Sequence, residues 1–237
     1  MNSFRTSPSQ GDVIRVGLAD DQPLVRAGFG MLISSQSDME VVWEASDGDE
    51  VVPAQQDARV RNATATVVLM DVQMARLDGI AATKQLIEAD SQVKVIMLTT
   101  FDDSEFIRGA LEAGASGFLL KDATPEELLH AVRTVYNGDA VLAPKVTAQV
   151  LAMWQPKASL SKNDEVGLTP REQDILRLIA QGYNNEEIAA AEFVSMATVK
   201  THVRHILMKT GSRDRVQAVL FAFRAGLVGV EELLGHQ

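Results

Sequence analysis

Short apolar runs alternate with amphipathic segments over the first 138 residues. Each of five runs has the length and composition of a buried strand and is followed by a segment with helical periodicity. The predicted strands are 13–18, 40–45, 67–70, 93–98 and 117–120, and the predicted helices are 23–33, 47–60, 80–89, 105–113 and 124–137. Apolar strands that alternate with helices are typical of a parallel sheet covered on both faces. We therefore predict a doubly wound, flavodoxin-like α/β domain with a five-stranded parallel sheet over residues 13–138.

After Val166 the pattern changes to helices alone, and we predict a second, all-α domain of four helices over residues 168–237. Thr169, Asn184 and Ser195 are the predicted N-caps of its first three helices. The third helix is apolar on one side and basic on the other. Two helices joined by a tight turn, the second with a basic outer face, are typical of a helix-turn-helix.

The remaining segments are polar. Residues 1–12 are rich in Ser and Gln and are predicted to form a disordered tail. Residues 139–167 are predicted to be a linker, in which Pro144 could open a short helix before a polar stretch.

The composition narrows the setting of the protein. The 237-residue chain is 46% hydrophobic, which suits two folded domains, and it has no cysteine. Disulfides, zinc–thiolate sites and a cysteine nucleophile are therefore excluded, and a reducing compartment is favoured. The sequence contains neither a signal peptide nor an apolar stretch long enough to span a membrane. We expect a cytoplasmic protein without a membrane partner.

The charge is unevenly distributed. The net charge of the chain is −10, all of it carried by residues 1–167, whereas residues 168–237 carry eight basic and eight acidic side chains. Between Val194 and Ala225 there are six basic residues and a single acid, Asp214. This asymmetry is compatible with nucleic-acid binding, but a solvated basic face explains the charge equally well.

Polar side chains follow four of the predicted strands. Asp20 and Asp21 follow the first strand, Asp71 the third, Thr99 the fourth and Lys121 the fifth. In an open parallel sheet, ligands bind outside the carboxyl ends of the strands, and a strand order of 2-1-3-4-5 makes the first and third strands neighbours. Three carboxylates that close repel one another unless a cation lies among them, and hard oxygen ligands favour Mg²⁺.

The pocket has the groups needed for phosphoryl transfer. Asp71 is the best-placed nucleophile, Lys121 would neutralise charge on the phosphoryl oxygens, and Thr99 offers a hydroxyl to one of them. Each residue alone has an ordinary explanation; Asp20 or Asp21, for example, could cap the helix that opens near Pro23. Their conjunction at matching strand ends favours the functional interpretation.

Four stretches resemble the receiver domains of response regulators: LADDQPLVRAG at 18–28, LMDVQM at 69–74 followed by Asp78-Gly79, IMLTTFD at 96–102 and GASGFLLKD at 114–122. The resemblance implies that Asp71 is the phosphoacceptor, that Asp21 binds Mg²⁺ directly, and that Asp20 acts mainly through water. It further implies that the backbone carbonyl of Gln73 is a metal ligand and that Thr99 and Phe118 form a switch pair. Ala75 departs from the family, which usually has proline there.

The second half resembles the LuxR/NarL-type DNA-binding domain in LTPRE at 168–172, NEEIA at 185–189, VSMATVKTHV at 194–203 and DRVQA at 214–218. The resemblance implies that the third helix contacts DNA and that the fourth pairs subunits. The candidate DNA contacts are Lys200, Thr201 and Arg204, with Thr198 and His205 beside them. Glu192 is a departure, because a less acidic residue is expected before Phe193.

Together these features predict a two-component transcriptional regulator, not an enzyme, that a sensor histidine kinase phosphorylates on Asp71 and that dimerises on double-stranded DNA. A haloacid-dehalogenase-type phosphatase is disfavoured because it needs a second aspartate where this chain has Gln73. An orphan regulator that acts without phosphorylation remains an alternative, although such receivers usually lack one of the pocket groups. The third alternative is a module that binds an acidic protein partner through the basic helix.

Overall fold

The computed structural model describes residues 13–99, 104–138 and 167–228. The predicted tail 1–12 and the predicted linker with its short helix, apart from Gly167, lie outside the described residues. The described parts form an α/β domain and a helical domain. No helix in these three ranges is both long and apolar enough to cross a membrane.

The first domain is built on five parallel strands. They are β1 (Ile14–Ala19), β2 (Met39–Ala45), β3 (Val67–Asp71), β4 (Lys94–Thr99) and β5 (Gly117–Leu120). The order across the sheet is β2-β1-β3-β4-β5, which confirms the predicted topology. Because β1 and β3 are neighbours, the residues that follow them meet at one edge of the sheet, which we call the carboxyl edge.

Five helices cover the two faces of this sheet within the described residues. They are α1 (Pro23–Ser34), α2 (Gly48–Val60), α3 (Gly79–Ala89), α4 (Ser104–Glu112) and α5 (Pro125–Tyr136). One core, around Met70, Leu86 and Phe118, lies under α2, α3 and α4. The other, around Leu69 and Val132, lies under α1 and α5.

β2 differs from the other strands and corrects one expectation. The central strand β3 is buried throughout, as predicted, whereas Glu40 and Glu44 of β2 are exposed. β2 lies at an end of the sheet, so its residues are not enclosed on all sides. Beside it, Gly17 of β1 lies against the indole of Trp43, where a Cβ would overlap the ring.

The second domain packs its helices around a separate core. The helices are α6 (Pro170–Ala180), α7 (Asn185–Ala191), α8 (Met196–Thr210) and α9 (Arg215–Arg224). The predicted caps at Thr169, Asn184 and Ser195 are confirmed, and the first two complete capping boxes. Val199 and Ile206 of α8 are fully buried in this core, as the helical spacing predicted.

The two domains touch at the amino ends of β4 and β5, which form the amino edge of the sheet. Ser116 Oγ donates a 2.7 Å hydrogen bond to Asp214 Oδ2, and Lys94 Nζ donates one of 3.0 Å to the Arg213 carbonyl. Arg213 in turn donates to the Val93 carbonyl, while Val216 and Leu220 of α9 join the core of the α/β domain. We call this set of interactions the amino-edge contact.

Candidate functional sites: an acidic pocket and a basic helix

The carboxyl edge of the sheet holds an acidic pocket. Asp20, Asp21 and Asp71 each present a carboxylate oxygen, and these atoms lie within 4.8 Å of one another. They adjoin a cavity of about 170 Å³ whose lining includes Asp21, Asp71, Gln73, Thr99, Phe106 and Lys121. Asp71 and Asp20 are only 4% and 2% exposed, whereas Asp21 is exposed. The predicted convergence of these strand ends is therefore seen in the geometry.

Lys121 joins two of the three carboxylates. Its Nζ lies 2.8 Å from Asp71 Oδ2 and 2.8 Å from Asp20 Oδ2. Burial lowers the pKa of Lys121, but its contacts with the two aspartates outweigh burial and raise it. Burial and the charge of Asp20 raise the pKa of Asp71 despite the opposing effect of Lys121. Within the described ranges, Lys121 is thus the one ammonium that faces the three carboxylates, and negative charge remains in excess.

This excess negative charge fits a divalent cation. Asp20 Oδ2 is buried and, among the described residues, accepts no hydrogen bond of good geometry, although Lys121 is near. An oxygen-only donor set with one exposed carboxylate and an adjoining cavity suits Mg²⁺, which retains several water ligands. Asp20, Asp21, Asp71 and the carbonyl of Gln73 are the groups that could hold it.

Asp20 also has the local role that the sequence left open. Its Oδ1 accepts a 2.8 Å hydrogen bond from the backbone N–H of Gln22, at the start of α1. Gln22, the N-cap residue itself, makes no side-chain capping bond. The capping and ligand interpretations of Asp20 are therefore compatible, because one carboxylate oxygen serves the turn and the other faces Lys121.

The loop after Asp71 begins and ends close to the sheet. Gly79 N–H donates a 2.9 Å hydrogen bond to the Val72 carbonyl, and a Cβ at Gly79 would overlap the Asp71 carbonyl oxygen. The backbone N–H of Gln73 lies 3.4 Å from Asp71 Oδ1, a long hydrogen bond. Gly79 thus lets the chain return against Asp71, and Gln73 remains at the cavity.

Two pocket residues differ in their placement. Thr99, at the end of β4, is buried and lines the cavity. Phe118 is 1% exposed and belongs to the core rather than to the cavity lining. Phe106 of α4 does line the cavity, and the sequence analysis missed it. An aromatic residue on an amphipathic helix gives no local signal that distinguishes such a position from an ordinary core position.

The sequence analysis also missed Asp47, a 3% exposed carboxylate at the start of α2. It was included in the predicted helix 47–60 without a role. Two of its three backbone partners lie 29 and 30 residues away in the chain, so no local pattern could have identified them.

In the second domain, the outer face of α8 carries the candidate DNA contacts. Lys200, Thr201, Arg204 and His205 are exposed, and Thr198 is half-buried. The hydroxyl of Thr201 donates to the Ala197 carbonyl at 2.9 Å, and that of Thr198 is within 2.8 Å of Ser195 Oγ. His205 Nδ1 is 4.0 Å from Glu172 Oε1. His202 is half-buried, and its Nδ1 has no partner among the described residues.

Five of the six basic residues of 194–225 divide into two groups, and the sixth, Arg224, lies exposed at the end of α9. Lys209 pairs with Glu172 at 2.7 Å, Arg213 is part of the amino-edge contact, and Arg215 is 5% exposed and donates to the Tyr183 carbonyl. Glu192, the acidic departure, pairs with Arg171. The count of basic residues thus overstates the charge offered to a partner, which rests mainly on Lys200 and Arg204 of α8.

Comparison with known proteins identifies both domains. Residues 16–133 match the response regulator receiver domain, and residues 166–222 match the bacterial regulatory proteins of the luxR family. The uncharacterized transcriptional regulatory protein YxjL of Bacillus subtilis is 43% identical over 219 residues, 92% of this chain and 98% of that protein. Response regulator protein VraR of Staphylococcus aureus is 38% identical over 215 residues, 91% of this chain and 99% of VraR.

A solved structure gives the same result. The response regulator ChrA of a heme-sensing two-component system is 38% identical, with a TM-score of 0.50, over 92% of this chain and 100% of ChrA. The chain therefore belongs to the LuxR-type response regulators of two-component systems. The predicted family and the predicted fold class are confirmed. Neither of the two matching family models describes an enzyme.

Proposed function

We propose that this protein is a DNA-binding transcriptional regulator that a sensor histidine kinase activates by phosphorylating Asp71. The observation that carries the proposal is the position of Asp71, 2.8 Å from Lys121 and within a cluster of three carboxylates that adjoins a cavity. The family membership and the helical second domain support the same function.

In the proposed transfer, a carboxylate oxygen of Asp71 attacks the phosphorus of a phosphohistidine on the kinase. The new P–O bond forms as the P–N bond breaks, and the imidazole nitrogen keeps the electron pair and takes up a proton. Lys121 neutralises charge on the equatorial oxygens, and Asp20 and Asp21 with the Gln73 carbonyl would hold Mg²⁺. The bound cation would supply further neutralisation of that charge.

Phosphorylation adds about one to two negative charges beside Thr99 and Lys121. We propose that the Thr99 hydroxyl moves toward the phosphoryl group. The ring of Phe118 is already buried in the core, so the expected inward turn is replaced by a repacking of the ring as Thr99 moves. Because Thr99 ends β4 and Phe118 lies in β5, this movement would reshape the surface of α4, β5 and α5. A homodimer would then present two copies of α8 to DNA.

The test compares the full chain with Asp71→Asn, in the presence of Mg²⁺ and a small phosphoryl donor such as acetyl phosphate. We expect the wild-type protein to gain an acid-stable, base-labile phosphoryl group, to dimerise and to bind DNA more tightly, and the variant to do none of these. Asp57→Asn, an exposed carboxylate on α2, is the matched control. Identical responses of the wild type and Asp71→Asn would favour an orphan regulator that acts without phosphorylation.

We further propose that α8 enters the major groove. Lys200 and Arg204 are one turn apart and exposed, and within the described residues neither has an ion-pair partner. Thr198, Thr201 and His205 lie beside them as hydrogen-bonding candidates. Arg and Lys suit guanine edges or phosphates, and binding to phosphates makes affinity fall steeply with salt.

The test measures the binding of a mixed-sequence duplex over a range of salt concentrations. For Lys200→Ala and Arg204→Ala we expect weaker binding, with the slope of log K against log salt reduced by about 0.9 for each phosphate that the variant no longer neutralises. Lys84→Ala, an exposed lysine on α3, is the control. An unchanged slope in both variants would favour an acidic protein as the partner of this helix.

A further inference from the structure

We infer that Asp47 is a positioning residue of the acidic pocket. Its buried carboxylate fastens the loop of residues 72–78, here called the acceptor loop, and so holds the Gln73 carbonyl beside Asp71. The inference rests on the proposed function, because it takes Gln73 as a ligand of the Mg²⁺ that assists transfer to Asp71.

The carboxylate of Asp47 bonds mainly to the acceptor loop. Its Oδ1 accepts hydrogen bonds from the backbone N–H of Leu77 at 2.9 Å and of Gly48 at 2.8 Å. Its Oδ2 accepts one from the backbone N–H of Arg76 at 2.9 Å. Two of its three N–H donors therefore belong to the loop and one to its own helix.

An ordinary helix cap does not explain this arrangement. A capping side chain accepts from the second or third residue of its helix, which in α2 are Asp49 and Glu50. Asp47 bonds only the first residue, Gly48, and directs the rest of its carboxylate to the acceptor loop. Burial raises the pKa of Asp47, but these backbone N–H groups outweigh burial and lower it, so the side chain accepts as a carboxylate at neutral pH.

Two further features press α2 against the same loop. A Cβ at Gly48 would overlap the Leu77 carbonyl oxygen, so the start of the helix lies directly against the loop backbone. The guanidinium of Arg76 reaches back and pairs with Asp49 and with Glu50, each at 2.7 Å. The loop is thus held through its main chain by Asp47 and through a side chain by Arg76.

The middle of the loop is the part that the rest of the fold restrains least. One end is fixed by Asp71 in β3, and the other by the hydrogen bond from Gly79 N–H to the Val72 carbonyl. Between them, Ala75 does not restrict its backbone as a proline would. The bonds at Arg76 and Leu77 come three and four residues after Gln73, so losing them frees the segment that carries the ligand carbonyl.

The first experiment measures Mg²⁺ binding to the full chain by isothermal titration calorimetry, without a phosphoryl donor. We expect Asp47→Ala to bind Mg²⁺ roughly tenfold more weakly, the low end of the effect seen when a group that orients a metal ligand is removed. The Mg²⁺ affinity of Asp47→Asn should lie between those of the wild type and Asp47→Ala, because the amide oxygen still accepts a hydrogen bond but the amide nitrogen cannot. Asp57→Asn, an exposed carboxylate further along α2 that makes no contact with the acceptor loop among the described residues, should match the wild type.

The second experiment follows phosphorylation by acetyl phosphate over a range of Mg²⁺ concentrations. For the Asp47 variants we expect a higher half-saturating Mg²⁺ concentration and a nearly unchanged rate at saturation. A residue needed only for stability would raise the half-saturating concentration no further than the unfolded fraction accounts for, so a variant that is fully folded would match the wild type. Circular dichroism at room temperature gives the folded fraction, and if neither Asp47 variant folds, the positioning role is wrong and Asp47 acts in folding alone.

The two proposals fail in different ways. If the wild type binds Mg²⁺ but is never phosphorylated, the proposed function is wrong, and the calorimetry still decides the role of Asp47. If the wild type is phosphorylated and the Asp47 variants need no more Mg²⁺ than it does, the positioning role is wrong and the proposed function remains.

Discussion

The two edges of the receiver sheet both bury charged side chains, but they satisfy these charges in different ways. At the carboxyl edge, Asp20, Asp21 and Asp71 face a single ammonium, that of Lys121. At the amino edge, the basic side chains of Lys94 and Arg213 interact with the carboxylate of Asp214, and that of Asp90 also acts on Arg213. Backbone carbonyl groups accept hydrogen bonds from both basic side chains: Lys94 donates to the Arg213 carbonyl, and Arg213 donates to the Val93 carbonyl.

The difference separates a ligand site from a contact between domains. Excess negative charge beside a cavity favours binding of a cation, and the bound cation in turn favours a phosphoryl group. Both come from outside the chain. The polar groups of the amino edge are satisfied less completely: among the described residues, Arg213 Nε and Nη1 are buried without a hydrogen-bond partner, although Nε lies 3.5 Å from Asp214 Oδ2. Because unsatisfied buried groups oppose docking, we expect the amino-edge contact to open without unfolding either domain.

The largest effect is expected at the carboxyl edge. Lys121→Met leaves the buried carboxylates of Asp20 and Asp71 unpaired, which should destabilise the receiver by about 3 kcal/mol at neutral pH without Mg²⁺. Adding Mg²⁺ should restore part of that stability, because a ligand that binds the folded state stabilises it. Urea unfolding with and without Mg²⁺ measures both. Lys84→Met is the control, and equal stability of Lys121→Met and wild type would contradict the charge balance of the pocket.

The next effect is expected at Asp214, which serves both the helical domain and the amino-edge contact. Its Oδ1 caps α9 by accepting from Gln217 N–H at 3.0 Å, while its Oδ2 accepts from Ser116. Asp214→Ala should lower the free energy of unfolding of the helical domain by about 2 kcal/mol, because it removes the cap and a buried hydrogen bond. Asp174→Ala breaks only an exposed pair with Arg177 and should change little. Equal losses of stability in the two variants would mean that the cap contributes nothing.

A smaller effect isolates the amino-edge contact itself. Ser116→Ala removes the hydroxyl that reaches Asp214 and keeps the cap of α9, so it should weaken docking by about 1 kcal/mol and leave both unfolding transitions in place. Small-angle X-ray scattering should show a larger radius of gyration as the domains separate. Ser91→Ala, an exposed serine outside the contact, is the control. If Ser116→Ala lowered the stability of the receiver by several times that amount, the contact would not be separable from the fold.

The smallest effect is a pH dependence of the amino-edge contact. Burial lowers the pKa of Lys94 below its usual 10.5, Asp214 opposes this shift, and Arg213 adds to it. The docked state therefore binds fewer protons than the open state, and docking should strengthen as the pH rises toward 10.5. The radius of gyration should fall over that range in the wild type and stay constant in Lys94→Met. The same trend in both proteins would assign the effect to other groups.

Much of the fold could be predicted because its signals are local. The apolar runs predicted the five strands, and Thr169 and Asn184 marked helix starts that the structure confirms as capping boxes. The acidic pocket followed from topology, since side chains after parallel strands meet at one edge once the strand order is known. The exposed acids of β2 were the exception, because the position of a strand within the sheet decides how much of it is buried.

The sequence by itself determined the strands, the helices and the polar residues at the strand ends, since periodicity and caps act over a few neighbouring residues. The strand order was expected from the fold class that these elements indicate. Only the tertiary structure decided that Asp47 faces Arg76 and Leu77 and that Ser116 faces Asp214, 98 residues away. The tertiary structure also decided which basic side chains form ion pairs or hydrogen bonds inside the protein and which remain exposed. Hydrogen bonds between distant segments depend on packing in three dimensions, and no local pattern in the chain specifies them.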